Sequence, residues 1–241
     1  MKKHIPNLVT LLNLLSGCIA VVFAMNGELH IAAFFVLLGI LFDYLDGFLA
    51  KILDARSELG LHLDSLADVV TSGLVPGIVM FKLLKLSGPD WSISESVKTG
   101  FDFSMDSIIP FFGLFIVLAA AYRLAKFNVS TDQTNHFYGI PTPANALLII
   151  SFPLILEYQN NDLMNGLILN RWFLLGITLA SCILMNARLK MLAMKFSNWS
   201  FKDNAARYML IVLAIVLLAI FQFSAIPLII LAYIVISLLN R

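Results

Sequence analysis

Long apolar runs separated by short polar stretches organise the chain from end to end. Runs long enough to cross a bilayer, roughly 20 residues each, fall at 8–25, 29–50, 60–86, 107–127, 141–158, 171–187, 207–222 and 225–240. This pattern predicts an all-α integral membrane protein with about eight transmembrane helices. The fifth run is opened by Pro141 and Pro143, and the last two are divided only by a short turn at Gln222–Ser224. The start of the chain, Met1, Lys2 and Lys3 before an apolar run, imitates a secretory leader. No small-x-small cleavage site follows, so the run is predicted to be a retained first span.

Composition points the same way. Residues are 60% hydrophobic and only 13% charged, against about 25% charged in ordinary soluble domains. A water-soluble fold of this length cannot bury so much apolar surface, so lipid has to cover it. The net charge of +1 gives no reason to expect nucleic acid as a partner. Cys18 and Cys182 both lie inside apolar runs and are expected to be small buried hydrophobes, with no metal or disulfide spacing.

Basic residues set the orientation. With the N-terminus in the cytoplasm and eight alternating spans, the inner side receives Lys2, Lys3, Lys51, Arg56, Arg123, Lys126, Arg188, Lys190, Lys195, Lys202, Arg207 and Arg241. The outer side receives only Lys82, Lys85, Lys98 and Arg171. The stretch 87–106 is then an acidic outer loop. The stretch 188–206, basic and apolar with Trp199, reads equally as an interfacial amphipathic segment and as a plain basic loop.

The charged residues that topology does not explain are aspartates. Asp43 and Asp46 are three apart near the end of the second run, and Asp64 and Asp68 are four apart on the third. Each spacing puts two carboxylates on one helix face. The short connection 51–59 makes the two helices antiparallel neighbours, so four carboxylates can converge. Ionised groups are costly at membrane depth and these would also repel one another. Hard divalent cations such as Mg²⁺, Mn²⁺ or Ca²⁺ resolve both problems. Gly47 and Gly60 leave room for a ligand to approach the helices. A metal pair with open positions suits phosphate-ester chemistry.

The spacing Asp43-x2-Asp46-Gly47-x2-Ala50-Lys51-x8-Gly60-x3-Asp64-x3-Asp68 resembles the signature of the CDP-alcohol phosphatidyltransferase superfamily. One position departs from it: Lys51 stands where that family usually has Arg. Three further segments resemble the bacterial and archaeal phosphatidylserine synthases of that superfamily. They are Pro6, Asn7, Thr10 and Asn13 opening the first run, Arg123 to Asn128, and Gly139 to Asn145 with Pro141 and Pro143. Lys126 is a second Lys where Arg is expected. The resemblance runs through about residue 145.

The resemblance implies transfer of a phosphatidyl group from CDP-diacylglycerol to the hydroxyl of L-serine, giving phosphatidylserine and CMP. It implies two divalent cations, Mg²⁺ or Mn²⁺. Asp43, Asp46 and Asp64 would ligate one, and Asp43, Asp64 and Asp68 the other. Asp68 would also be the general base, with proximity supplying most of its effect. Asn7, Thr10, Gly47, Lys51 and Ser57 would hold the CDP-diacylglycerol head. Lys51 would keep the charge of Arg but lose its fork. Ser57 reads nearly as well as a helix N-cap, and Arg56 reads as positive-inside topology alone. The carboxylate of serine needs a cation, for which Arg123 is the candidate, with Asn128 beside it and Lys126 a weaker choice. His62, two residues from Asp64, points off the aspartate face, and His136 is placed at the substrate entry. The implied organisation is a six-helix catalytic core at 1–190, followed at 191–241 by an interfacial segment and two further helices. A homodimer in a prokaryotic inner membrane, with its active site facing the cytoplasm, completes the expectation. Glycerol 3-phosphate or an inositol phosphate as acceptor would demand more cations than Arg123 supplies. An ion-coupled transporter would place its carboxylates near the midplane, usually within inverted repeats.

Overall fold

The computed structural model describes residues 4–88, 105–129, 137–159, 161–192 and 201–239. Lys2, Lys3, Lys98, Lys195, Arg241, His136, Trp199 and most of the expected outer loop lie outside the described residues. Helices stand at all eight apolar runs. They are α1 (His4–Asn26), α2 (Leu29–Ile52), α3 (Glu58–Asp68), α4 (Val75–Leu86), α5 (Met105–Ile108), α6 (Phe115–Val129), α7 (Thr142–Tyr158), α8 (Asp162–Ile168), α9 (Arg171–Asn186), α10 (Phe201–Phe221) and α11 (Ala225–Leu239). A π-helical turn, Val69–Leu74, joins α3 to α4, so that Glu58–Leu86 is one continuous helical stretch.

Helix α1 is apolar outside and carries small and polar residues inside. On α1 the buried residues are Thr10, Asn13, Ser16, Gly17, Ala20 and Ala24, while Leu8, Leu11, Leu15 and Val22 are exposed. That inversion makes sense only where lipid is the solvent, because small residues then let helices approach and apolar side chains need no shelter. The chain is a multi-pass membrane protein. Cys18 follows the same rule: expected to be buried, it is exposed on the outer face of α1.

Among the described residues, five stretches are long and apolar enough to cross a membrane, or six if the bent pair α8–α9 forms one span. The expected count of eight is therefore not fixed by length, since α7 has 17 residues and α9 only 16. Pro141 is the N-cap of α7 and Pro143 falls in its first turn, where a missing N–H costs nothing. The final stretch is a hairpin rather than one long helix. Leu210 and Tyr233 share one apolar cluster, although a straight helix would hold them about 35 Å apart. The turn between α10 and α11 is clamped by Gln159. Its Oε1 accepts from the Ser224 N–H at 2.8 Å and the Ser224 hydroxyl at 2.7 Å, while its Nε2 donates to the Phe221 carbonyl at 2.9 Å. The stretch 188–206 is only partly what its composition suggested. Lys190–Met191 (β2) pairs antiparallel with Phe137–Tyr138 (β1), and α10 begins at Phe201.

The stretch from α3 to α4 is the axis of the bundle. Its most apolar window is 61% buried inside the protein, against 33% or less for the other long spans. It is registered against α1 and α2 at the π-helical turn. The Thr71 side chain enters the space left by two glycines. A Cβ added at Gly17 would run into Thr71 Oγ1, and one at Gly39 would lie 2.9 Å from Asn13 Oδ1 and closer still to Thr71 Cγ2. The Thr71 hydroxyl donates to the Asn13 carbonyl at 3.2 Å.

Gly39→Ala should therefore destabilise the detergent-solubilised protein by about 1–3 kcal/mol, the usual cost of overpacking. Thr71→Ser removes the methyl that the new Cβ meets, so the double variant should regain part of the loss in a thermal unfolding measurement. A Gly39→Ala protein as stable as wild type would show that this contact does not set the register.

Candidate active site

The aspartates sit near the end of α2 and in the second half of α3, whose last residue is Asp68. One carboxylate oxygen from each of Asp43, Asp64 and Asp68 lies within 4.8 Å of the others. At that separation each ionised pair repels by roughly 3–4 kcal/mol at the effective dielectric of a protein edge. Asp64 Oδ1 is buried and has no hydrogen-bond partner. A group of hard oxygen ligands with an unpartnered acceptor suits a divalent cation. Asp46, expected to join the cluster, is not among the three whose oxygens meet this spacing, but it lines the adjoining cleft together with Asp64. It is buried, and its Oδ2 lies 2.5 Å from the Thr10 hydroxyl that donates to it.

Helix α1 supplies a second wall. Asn7, Thr10 and Asn13 recur every three residues and so share one face. Asn13 Nδ2 donates to Asp68 Oδ1 at 3.4 Å, and Asn13 is itself fixed through its carbonyl by Thr71. Asn7 Oδ1 lies against Gly60, 3.0 Å from where a Cβ would stand. Sequence reading gave Asn13 no role. The signal was present, in that an Asn continues the Asn7–Thr10 spacing into an apolar run where a polar side chain needs a partner.

A cleft of about 540 Å³ opens beside the aspartates, between the start of α1, the end of α2 and the start of α3. Asn7, Thr10, Asp46, Gly47, Ser57 and Asp64 line it, and so does Arg56. Nothing lies within 4 Å of a Cβ added at Gly47, so the helix backbone is open there. Ser57 has both expected features: it lines the cleft and its hydroxyl caps α3 by accepting from the Gly60 N–H at 3.1 Å. Lys51 does not line the cleft and is exposed. One residue beyond Ala50, it is turned about 100° around the helix from that cleft-lining position. His62 is exposed and also off the cleft.

Arg123 of α6 is half-buried and does not line the cleft. Its Nη1 is 3.5 Å from the Thr142 hydroxyl at the start of α7, its Nε is buried and unpartnered, and its charge reaches Asp68. Asn128 is not beside Arg123. Five residues further along α6, it donates from Nδ2 to the Ser65 hydroxyl of α3 at 2.8 Å. Lys126 is exposed in a separate surface groove with Tyr122 and Val129.

Comparison with known proteins gives a consistent picture. A family model for CDP-alcohol phosphatidyltransferases matches residues 3–184. The chain is 33% identical over 163 residues to the CDP-diacylglycerol–serine O-phosphatidyltransferase of Saccharomyces cerevisiae, covering 61% of this chain and 52% of that one. It is 33% identical over 153 residues to the archaetidylserine synthase of Methanothermobacter thermautotrophicus, covering 62% and 58%. Against the CDP-diacylglycerol–serine O-phosphatidyltransferase of Bacillus subtilis it is 30% identical over 156 residues, covering 62% and 76%. The chain thus spans little more than half the length of the first two relatives.

If the triad is a cation site, Mn²⁺ bound to the purified protein should be visible by electron paramagnetic resonance without any turnover. Asp43→Asn, Asp64→Asn and Asp68→Asn should each weaken that binding at least about tenfold, a loss of ~1.4 kcal/mol. Unchanged Mn²⁺ affinity in Asp64→Asn would remove the cation reading of this cluster.

Proposed function

The chain belongs to the CDP-alcohol phosphatidyltransferase family, and on that premise we propose that it transfers the phosphatidyl group of CDP-diacylglycerol to the hydroxyl of L-serine. The products are phosphatidylserine and CMP. One observation carries the reading: a carboxylate triad reaches a head-group-sized cleft through Asp64, and the half-buried Arg123 stands off that cleft. The relatives named for serine as acceptor support the choice of acceptor.

Family members depend on divalent cations, and the oxygen ligands of Asp43, Asp64 and Asp68 suit them. The proposal extends to a pair of Mg²⁺ or Mn²⁺ ions, with Asp46 completing the ligand set. Bound there, they would offset the carboxylate repulsion and the charge of the diphosphate. The remaining work falls to the protein's own groups. Asn7, Thr10, Gly47 and Ser57 shape the cleft for the cytidine diphosphate head. Asp68, oriented by Asn13 at 3.4 Å, takes the proton of the serine hydroxyl. The serine oxygen forms a bond to the phosphorus that carries diacylglycerol. The bond from that phosphorus to the bridging oxygen breaks, and CMP leaves with that oxygen. Arg123 pairs with the serine carboxylate, fixing the acceptor's orientation as well as its charge.

The same proposal sets the aspartate end of the bundle towards the cytoplasm, following the distribution of Lys and Arg, in the inner membrane of a prokaryote. It also keeps 1–190 as the catalytic core and 191–241 as an added C-terminal part. A homodimer belongs to it by family likeness.

Purified protein should release CMP from CDP-diacylglycerol only when L-serine is added. Glycerol 3-phosphate or an inositol phosphate as the effective acceptor would overturn the serine assignment. Asp68→Asn should cut turnover by about 10²-fold or more, the scale of a general base. Arg123→Ala should raise the serine KM sharply and leave the CDP-diacylglycerol KM nearly unchanged. Equal impairment for both substrates would assign Arg123 to something other than the serine carboxylate.

A further inference from the structure

The connection between α2 and α3 is short, yet it is tightly built. Helix α2 closes with the Asp54 N–H donating to the Lys51 carbonyl at 3.4 Å and the Ala55 N–H donating to the Ala50 carbonyl at 3.0 Å. Asp54 takes the left-handed conformation, with φ at 47°. Together these make a Schellman cap, whose following residue usually packs inward. Ala55 does so and is 2% exposed. Two residues later Ser57 caps α3. Arg56 therefore stands on a backbone fixed from both sides, and its side chain borders the cleft.

The charge balance there needs a cation. The cleft contains Asp46, Glu58 and Asp64, and Arg56 is the single cationic residue among the described residues that line it. No ion-pair or hydrogen-bond partner holds the Arg56 side chain within the described residues. Its fork of N–H donors is thus free for a ligand. A guanidinium matches two phosphate oxygens at once, which an ammonium does not. The adjoining start of α3 favours the same ligand, because the positive end of the helix dipole lies there.

We propose that Arg56, rather than Lys51, supplies the cationic clamp for the diphosphate of the nucleotide–lipid substrate in this chain. The family pattern has its arginine at position 51, where this chain carries Lys51, exposed and off the cleft. The guanidinium of this chain stands five residues further along, past the Schellman cap, at a position that borders the cleft. The assignment rests on the transferase reading for the identity of that ligand.

The test measures binding and turnover separately. Binding of CDP to the purified, Mg²⁺-supplemented protein is followed by calorimetry, and CMP release by steady-state kinetics. Arg56→Ala should weaken CDP binding and raise the CDP-diacylglycerol KM about tenfold, leaving the serine KM within roughly twofold. Arg56→Lys should recover part of the loss, and Lys51→Ala should cost less than Arg56→Ala in both measurements. Unchanged CDP affinity in Arg56→Ala, or a larger loss in Lys51→Ala, overturns the assignment. The transferase reading fails separately, if wild-type protein releases no serine-dependent CMP although it binds CDP.

Discussion

Repulsion between the carboxylates of Asp43, Asp64 and Asp68 has to be contained before anything else in this bundle can work. Their oxygens come within 4.8 Å of one another in a protein whose surroundings are largely hydrocarbon. Water cannot screen them fully, and each ionised group is already costly at that depth. A rigid frame is therefore needed on the protein side, and cations on the ligand side. The frame comes from three helical elements pressed close together. Thr71, on the π-helical turn just after Asp68, occupies the space that Gly17 and Gly39 leave. A turn of this kind inserts an extra residue into the helix and re-aims the side chains that follow, which is why it recurs at functional sites.

Helix α1 turns this packing into chemistry. Its exposed face is leucine-rich, while its inner face places Thr10 on Asp46 and Asn13 on Asp68. A hydrogen bond to a carboxylate holds one oxygen and leaves the other for a ligand. The aspartates are thus oriented by neutral donors that bring no competing charge into the site. The same helix faces the cleft through Asn7, so one surface of α1 borders both the carboxylates and the cleft.

The cleft between α1, α2 and α3 reaches the cluster at Asp64, and Arg123 and Thr142 do not line it. The C-terminal hairpin is not remote from this. Tyr233 of α11 donates from its hydroxyl to the Leu192 carbonyl at 3.1 Å, and it packs with Ile140, just before the α7 turn that meets Arg123. The hairpin therefore packs close to the turn that carries Thr142 and meets Arg123.

Much of this was legible from the chain alone. Apolar runs gave the helices, because a continuous apolar run of about 20 residues satisfies its own backbone polar groups in a bilayer as a helix. The spacings of Asp43, Asp46, Asp64 and Asp68 gave two same-face pairs, because helical periodicity is set by local hydrogen bonds. What could not be read was which face meets which. Sequence placed Asn128 beside Arg123, but its side chain reaches Ser65 on another helix. Sequence gave the lipid head-group contact to Lys51 and topology alone to Arg56, whereas Arg56 is the one of the two that lines the cleft. Asn13 carried no role until Asp68, 55 residues away, was found against it. Local spacing is written in the backbone's own geometry. Helix pairing in lipid depends instead on close fits between chemically similar apolar surfaces, and only the folded bundle decides those.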